Sequence, residues 1–156
     1  MWLSRKHASL RFSIPVKFQI TTVDDSVKGT GLNQFNYGGY GWGCANGCHA
    51  DTSNAYGGTW SWDNTIGDYV TVSFTGVQIK FYGVVGSHGG IGAISLDGGS
   101  ETMIDFYSTA YLGDQLMWTS PMLPAGTHTF KLRVTGTKDP SSSNSNVGVD
   151  RVDILS

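Results

Sequence analysis

Charge is scarce in this chain. Asp, Glu, Lys and Arg make up 14% of its 156 residues, and the formal net charge is −2. Four of the ten basic residues, Arg5, Lys6, Arg11 and Lys17, stand in the first seventeen positions, so residues 18–156 carry six basic against twelve acidic side chains. An acidic body of this kind offers no electrostatic footprint for nucleic acid or for an anionic membrane surface. Long apolar runs are missing too, so no segment reads as a membrane-spanning helix. The opening "MWLSRKHASLRFSIPVK" begins with basic residues but lacks the apolar stretch of a signal peptide, and it is read as a tag- or linker-like extension ahead of a module at 18–156. Nowhere do apolar residues hold a 3.6 period over three capped turns, which argues against helices. Catalytic frames are also absent. The chain has no G-x-S-x-G, P-loop or H-E-x-x-H, and its acids are not arranged as the facing pair that glycosidase chemistry requires.

What the chain does have is glycine (22 residues), Ser, Thr and aromatics, the makings of short strands and many turns. "YVTVSFT" sets Val70, Val72 and Phe74 against Thr71, Ser73 and Thr75, and "VQIKFY" repeats the alternation after a turn at Gly76. This is the period-2 pattern of half-buried antiparallel strands. "GAISLDGGSETMIDFY" reads as a hairpin turning at Asp97-Gly98. "QLMWTSPML", "THTFKLRVTG" and "NVGVDRVDIL" supply further strands, Trp118 being assigned to the core by its parity with Leu116. Eight to ten short strands predict an all-β fold, an antiparallel β-sandwich of jelly-roll type.

Two of the five tryptophans sit in "GGTWSWDNT". In a strand Trp60 and Trp62 project from one side, about 7 Å apart. Sugars present C–H-rich faces that stack on aromatic rings, and an indole adds one N–H donor. The competing reading is that these indoles fill the core. The segment lacks Val, Ile and Leu, and its neighbours Asn54, Gly57, Gly58, Asp63 and Asn64 are polar or small, so an exposed platform is expected. Trp42 and Tyr56 lie in the same Gly-rich region and are candidates for a groove wall. Tyr82, opposite in parity to Phe81, is a candidate on a solvated sheet face. His88 in "VGSHGG" is read as a solvated loop residue.

The blocks "TTVDDSVKGTGLNQFNYGGYGW", "GDYVTVSFTGVQIKFYGV", "IGAISLDGGSETMIDFY", "GTHTFKLRVTGTKDPSSSN" and "VDRVDIL" together resemble the galactose-binding-like β-sandwich modules of secreted bacterial glycoside hydrolases. The resemblance covers most of residues 20–155. It implies a non-catalytic, secreted carbohydrate-binding module attached to the catalytic domain of a parent enzyme, monomeric, with a polysaccharide or oligosaccharide ligand and no nucleic-acid or membrane partner. It also implies a structural calcium ion joining the opening segment to the final strand. Asp150 is the best match, followed by Asp25 and Asp24, and oxygen ligands of this kind suit Ca²⁺. The alternative is that these carboxylates are simply solvated. Cys44 and Cys48 in "GCANGCHAD" miss the haem-attachment spacing by one residue and lack a second ligand pair for zinc. In a module resembling secreted proteins they are expected to form a disulfide. The ligand expected is plant cell-wall β-glucan, as cellulose-type chains, xyloglucan or mixed-linkage glucan. Xylan, mannan or galactan, or a structural or adhesion role without glycan binding, are the alternatives.

Overall fold

The computed structural model describes residues 17–43 and 54–156. Cys44, Cys48 and all but the last residue of the 1–17 extension lie outside the described residues. Two antiparallel sheets pack face to face as a β-sandwich, and no α-helix occurs among the described residues. One sheet runs β1 (Ile20–Asp24), β10 (Val147–Leu155), β5 (Gln78–Val85), β8 (Leu112–Thr119), with β3 (Ser61–Asp63) also paired to β10. The other runs β2 (Phe35–Gly38), β4 (Tyr69–Gly76), β9 (Gly126–Val134), β6 (Ile91–Leu96), β7 (Thr102–Asp105).

The period-2 patterns turn the expected faces inward. Val70, Val72 and Phe74 from β4 meet Phe130, Leu132 and Val134 from β9, and Ile79 and Phe81 from β5 close on them from the facing sheet. The Phe81 and Phe130 rings stack at 5.3 Å between centroids, adding geometric preference to simple burial. Asp97 and Gly98 both take positive φ, 52° and 70°, as a two-residue primed hairpin turn requires.

At Gly76 the chain does something the alternation alone does not reveal. It passes from one sheet straight into the other, since β4 and β5 are not paired. Val77 N–H donates to Leu155 O at 2.7 Å, and a Cβ on Gly76 would lie 2.5 Å from that same oxygen. Only glycine allows the corner to pass so close to β10.

Two β-bulges reset which residues face the core. In β10 the register with β5 jumps between Val149 and Arg151, so the inward set changes from Val147 and Val149 to Val152 and Ile154. Asp150 is the extra residue at that jump. In β8, Phe81 pairs with Trp118 but Tyr82 pairs with Leu116, leaving Met117 as the extra residue. Trp118 therefore packs toward Phe130 at 6.0 Å while Leu116 is exposed. The parity shared by the two residues does not carry across the bulge.

At the far side, His128 ties three segments together. Its Nδ1 lies 2.7 Å from Asp97 Oδ2 and its Nε2 lies 2.8 Å from Pro124 O. Both partners accept, so a ring that satisfies both donates twice and is charged. The Pro124 carbonyl, followed by the Asp97 carboxylate, raises the His128 pKa. The contribution of this pair is thus complete below the unfolded value of about 6.5 and is lost as pH rises through the raised folded value. Melting temperatures should fall as pH rises from about 6.5 through the raised folded value, and fall less in His128→Gln. Equal falls in both proteins would remove the assignment.

Candidate functional site

β1 and β3 lie end to end along one edge of β10: β1 pairs with residues 151–155 and β3 with 147–149. Asp150 sits at the break between them. In β3 the usual sidedness is reversed, because Ser61 and Asp63 point inward and are buried while Trp60 and Trp62 face the other way and are half-buried. Neither indole belongs to the hydrophobic core.

The two indoles do not form one platform. Trp62 is covered by the returning chain at Gly43, whose N–H donates to Trp62 O at 2.8 Å. A Cβ on Gly43 would lie 2.9 Å from the indole. Trp60 instead lines a cavity of about 340 Å³ with Val84, Val85, Tyr111, His88 and Asn146. Its ring meets Tyr111 edge-on at 6.0 Å, and Gly148 keeps the floor low, since a Cβ there would lie 3.3 Å from the Trp60 ring. Asn146 is anchored by its backbone: its N–H donates to His88 O at 3.0 Å and its carbonyl accepts from Gly90 N–H at 2.7 Å. Its side-chain Oδ1 is buried without a hydrogen-bond partner. A buried acceptor left unmatched is costly, and the residue that carries it lines the cavity. Among the described residues no carboxylate lines this cavity.

Behind Trp60 lies a nest of acids. Asp25 is 1% exposed and Asp150 0%, and Asp25 N–H donates to Asp150 O at 2.8 Å. Thr59 Oγ1 donates to Asp25 Oδ1 at 2.7 Å and lies 3.2 Å from Asp24 Oδ1, and Ser61 Oγ donates to Asp25 Oδ2 at 2.6 Å. Asp150 accepts from Tyr56 N–H at 3.0 Å and from Asp114 N–H at 2.6 Å. Burial pushes the Asp150 carboxyl up to about 7 against the lowering effect of those two N–H groups. Burial likewise raises Asp25, despite Ser61 and Thr59.

Among the described residues no three His, Cys, Asp or Glu side chains group as a ready metal cage. Any cation would therefore need hydroxyl or carbonyl oxygens as well. Two features suit one. Asp24 Oδ2 is buried with no hydrogen-bond partner, and it faces Gly57, where a Cβ would lie 2.7 Å away. Each carboxylate of Asp25 and Asp150 also keeps lone pairs beyond those its present donors use.

The remaining aromatic candidates lie away from the cavity lining. Trp42 packs on the core beside Tyr37, at 5.0 Å between centroids, and its Nε1–H donates to Gly38 O and Tyr69 O. Its loop is clasped by Asp68 Oδ2, which accepts from Tyr40 and Gly41 N–H, both at 2.8 Å. Tyr82 is covered by the Arg151 guanidinium, 3.5 Å above its ring, and exposed Tyr56 flanks the same guanidinium at 5.3 Å. Arg151 in turn bonds Asp114 Oδ1 and Asp153 Oδ1, each at 2.6 Å. A planar fork serving two carboxylates and two rings is not replaceable by an ammonium. Arg151→Lys is expected to destabilise the fold by about 1.5–3 kcal/mol, read as a lower urea midpoint at unchanged m-value. An unshifted midpoint would show the array to be idle.

Tyr111, Val84, Val85 and Asn146 are the lining residues that pattern reading missed. Tyr111 lies in a turn-rich segment with no alternation to place it, and Asn146 ends the polar run "KDPSSSNSN". The one available signal was that this run delivers its last Asn directly onto β10.

No family model matches the chain, and no curated protein matches it either. Solved structures do. A two-domain esterase active on acetylated mannans, co-crystallised with mannopentaose, matches at a TM-score of 0.64 and 13% identity, over 96% of this chain and 41% of that one. The CBM36-1 domain of a multidomain xylanase from the hindgut metagenome of Trinervitermes trinervoides matches at 0.52 and 13%, over 88% of this chain and 97% of that one. A Paenibacillus xanthan lyase matches at 0.53 and 24%, over 69% of this chain and 11% of that one. The chain thus spans a small part of the lyase, under half of the esterase and nearly all of the CBM36 domain. At these identities the likeness is one of fold.

Proposed function

We propose that this chain is a non-catalytic carbohydrate-binding module whose cavity, between Trp60 and Tyr111, takes a short stretch of a single polysaccharide chain. The observation that carries the reading is the edge-on pair of aromatic walls on one cavity, with the polar residues His88 and Asn146 also on its lining. A pyranose offers C–H faces to the rings and hydroxyls to the polar side chains on the lining. The volume falls at the lower end of the usual range for small-molecule sites, about 300–1,000 Å³, and a concave wall admits one chain rather than a flat crystalline face. Among the described residues the lining carries no carboxylate, whereas glycoside hydrolysis uses a facing pair of them.

The likeness in fold to a xylanase's CBM36 domain and to a mannan-active esterase supports a polysaccharide as the ligand class. Within that class we place β-glucan first, as cellulose-type chains, xyloglucan or mixed-linkage glucan, ahead of xylan, mannan and galactan. A calcium ion held by Asp24, Asp25 and Asp150, a secreted location, a monomeric state and attachment to a catalytic domain belong to the same proposal. When bound, the ion would neutralise buried carboxylate charge where β1, β3 and β10 meet. Affinity electrophoresis against soluble β-glucans, xylan, mannan and galactan tests the reading. Retardation in at least one β-glucan gel, lost in Trp60→Ala, is expected. Unretarded migration in every gel would overturn it.

A further inference from the structure

The acidic nest and the cavity are built on the same two stretches of chain. Thr59 and Ser61, the residues on either side of Trp60, both donate their hydroxyls to Asp25. Strand alternation then leaves the indole no direction but the opposite one, into the cavity. Asp150 does the equivalent for the other wall. One carboxylate holds Tyr56 N–H, four residues before Trp60, and Asp114 N–H, three residues after Tyr111. The two stretches also touch directly, since a Cβ on Gly113 would lie 2.6 Å from the Ala55 backbone. The aromatic walls, 51 positions apart in sequence, are therefore set by hydrogen bonds to two buried carboxylates.

We propose that Asp25 and Asp150 are positioning residues for the Trp60–Tyr111 cavity, so that the state of the acidic nest sets how well the cavity holds a sugar without the nest touching the sugar. This rests on the carbohydrate-binding reading above. If a cation occupies the nest, the coupling is reciprocal: saccharide tightens cation binding by the factor by which the cation tightens saccharide binding. Thr59 is the link that can be cut without altering either the carboxylates or the cavity lining.

The test compares wild type, Thr59→Val and Thr59→Ser, each with calcium chloride and with EDTA, at a temperature where all are fully folded. The first readout needs no sugar. Near-ultraviolet circular dichroism reports the packing of Trp60 on Tyr111, and Trp60→Phe identifies which band belongs to that pair. Thr59→Val should weaken the band and Thr59→Ser should restore it, while a merely structural loss would change the melting temperature and leave the band intact. The second readout is titration with cellohexaose. Thr59→Val should bind about five- to tenfold more weakly, the low end of usual coupling, with Thr59→Ser close to wild type. A wild-type band and wild-type cellohexaose affinity in Thr59→Val would overturn the coupling and leave the cavity reading standing. Absence of binding by wild type to cellohexaose and to every polysaccharide gel would overturn the cavity reading, and the dichroism arm would still decide the positioning role.

Discussion

Chelation with EDTA is expected to lower the melting temperature by about 5–10 °C. The figure follows from mass action: a ligand at a hundredfold excess over its dissociation constant stabilises the folded state by about 2.7 kcal/mol, and a chain of this size shifts by roughly 2–4 °C per kcal/mol. The physical motive lies in the nest. Asp25 and Asp150 are buried at the β1–β3 break, and burial raises both. The charges of Asp114 and Asp25 add to the cost of ionising Asp150 and that of Asp24 to the cost of ionising Asp25, with Lys28 offsetting part of the charge on Asp25. Asp24 adds a buried oxygen with no hydrogen-bond partner. Buried charge without a counter-charge is among the most expensive arrangements a fold can hold. Asp150→Ala should melt at one temperature whether EDTA or calcium chloride is present, because it removes the carboxylate at the centre of the nest. An unchanged melt of the wild type after thorough chelation would remove the calcium proposal, and the hydrogen bonds from Thr59, Ser61, Tyr56 and Asp114 would then be the whole account of how these acids are tolerated.

The elements that pattern reading placed well are those in which one rule governs the whole strand. β4, β9 and the first half of β5 alternate without interruption, so their inner faces could be read directly from Val70–Phe74, Phe130–Val134 and Ile79–Phe81. The reversed strand at Ser61–Asp63 obeyed the same rule, with the polar residues inward. Bulges are where local reading stops. "VGVDRVDIL" places valines at 147, 149 and 152, a parity change that demands an inserted residue somewhere in the strand. Which residue is inserted depends on β5, some seventy positions away. Leu116 and Trp118 share parity in sequence but not in space for the same reason. The aromatic site was half legible. Trp60 stands out by composition, but its partner is chosen by the crossing of two loops, and the cover over Trp62 comes from Gly43, which has no side chain to announce a contact. The terminal acids were visible as a cluster. Their connection to Trp60 through Thr59 and Ser61 was not, because small hydroxyls in a Gly-rich stretch look like turn residues.

Trp60 and Trp62, so alike in sequence, should therefore fail in different assays. Trp60→Ala is expected to weaken glycan binding by about 1–3 kcal/mol, by analogy with the stacking of bases on aromatic side chains; this corresponds to a roughly five- to 150-fold loss. Its folding stability should change modestly, since the ring is half-buried, lies outside the core and borders a cavity already open. Trp62→Ala should do the reverse. That indole is packed beneath Gly43 and does not line the cavity, so removing it strips the side-chain packing under Gly43 and leaves only the backbone bridge there, at a cost below the about 3–5 kcal/mol of a fully buried tryptophan. Tyr111→Ala should resemble Trp60→Ala, because the two rings meet edge-on across one space, and the double variant should lose less than the sum of the single losses if they grip one sugar ring. Tryptophan fluorescence gives an independent check: saccharide should shift or quench the emission of wild type and Trp62→Phe but not of Trp60→Phe. Equal loss of binding in Trp60→Ala and Trp62→Ala, with both proteins folded, would mean that the sugar lies along both indoles after all and that Gly43 moves aside to admit it.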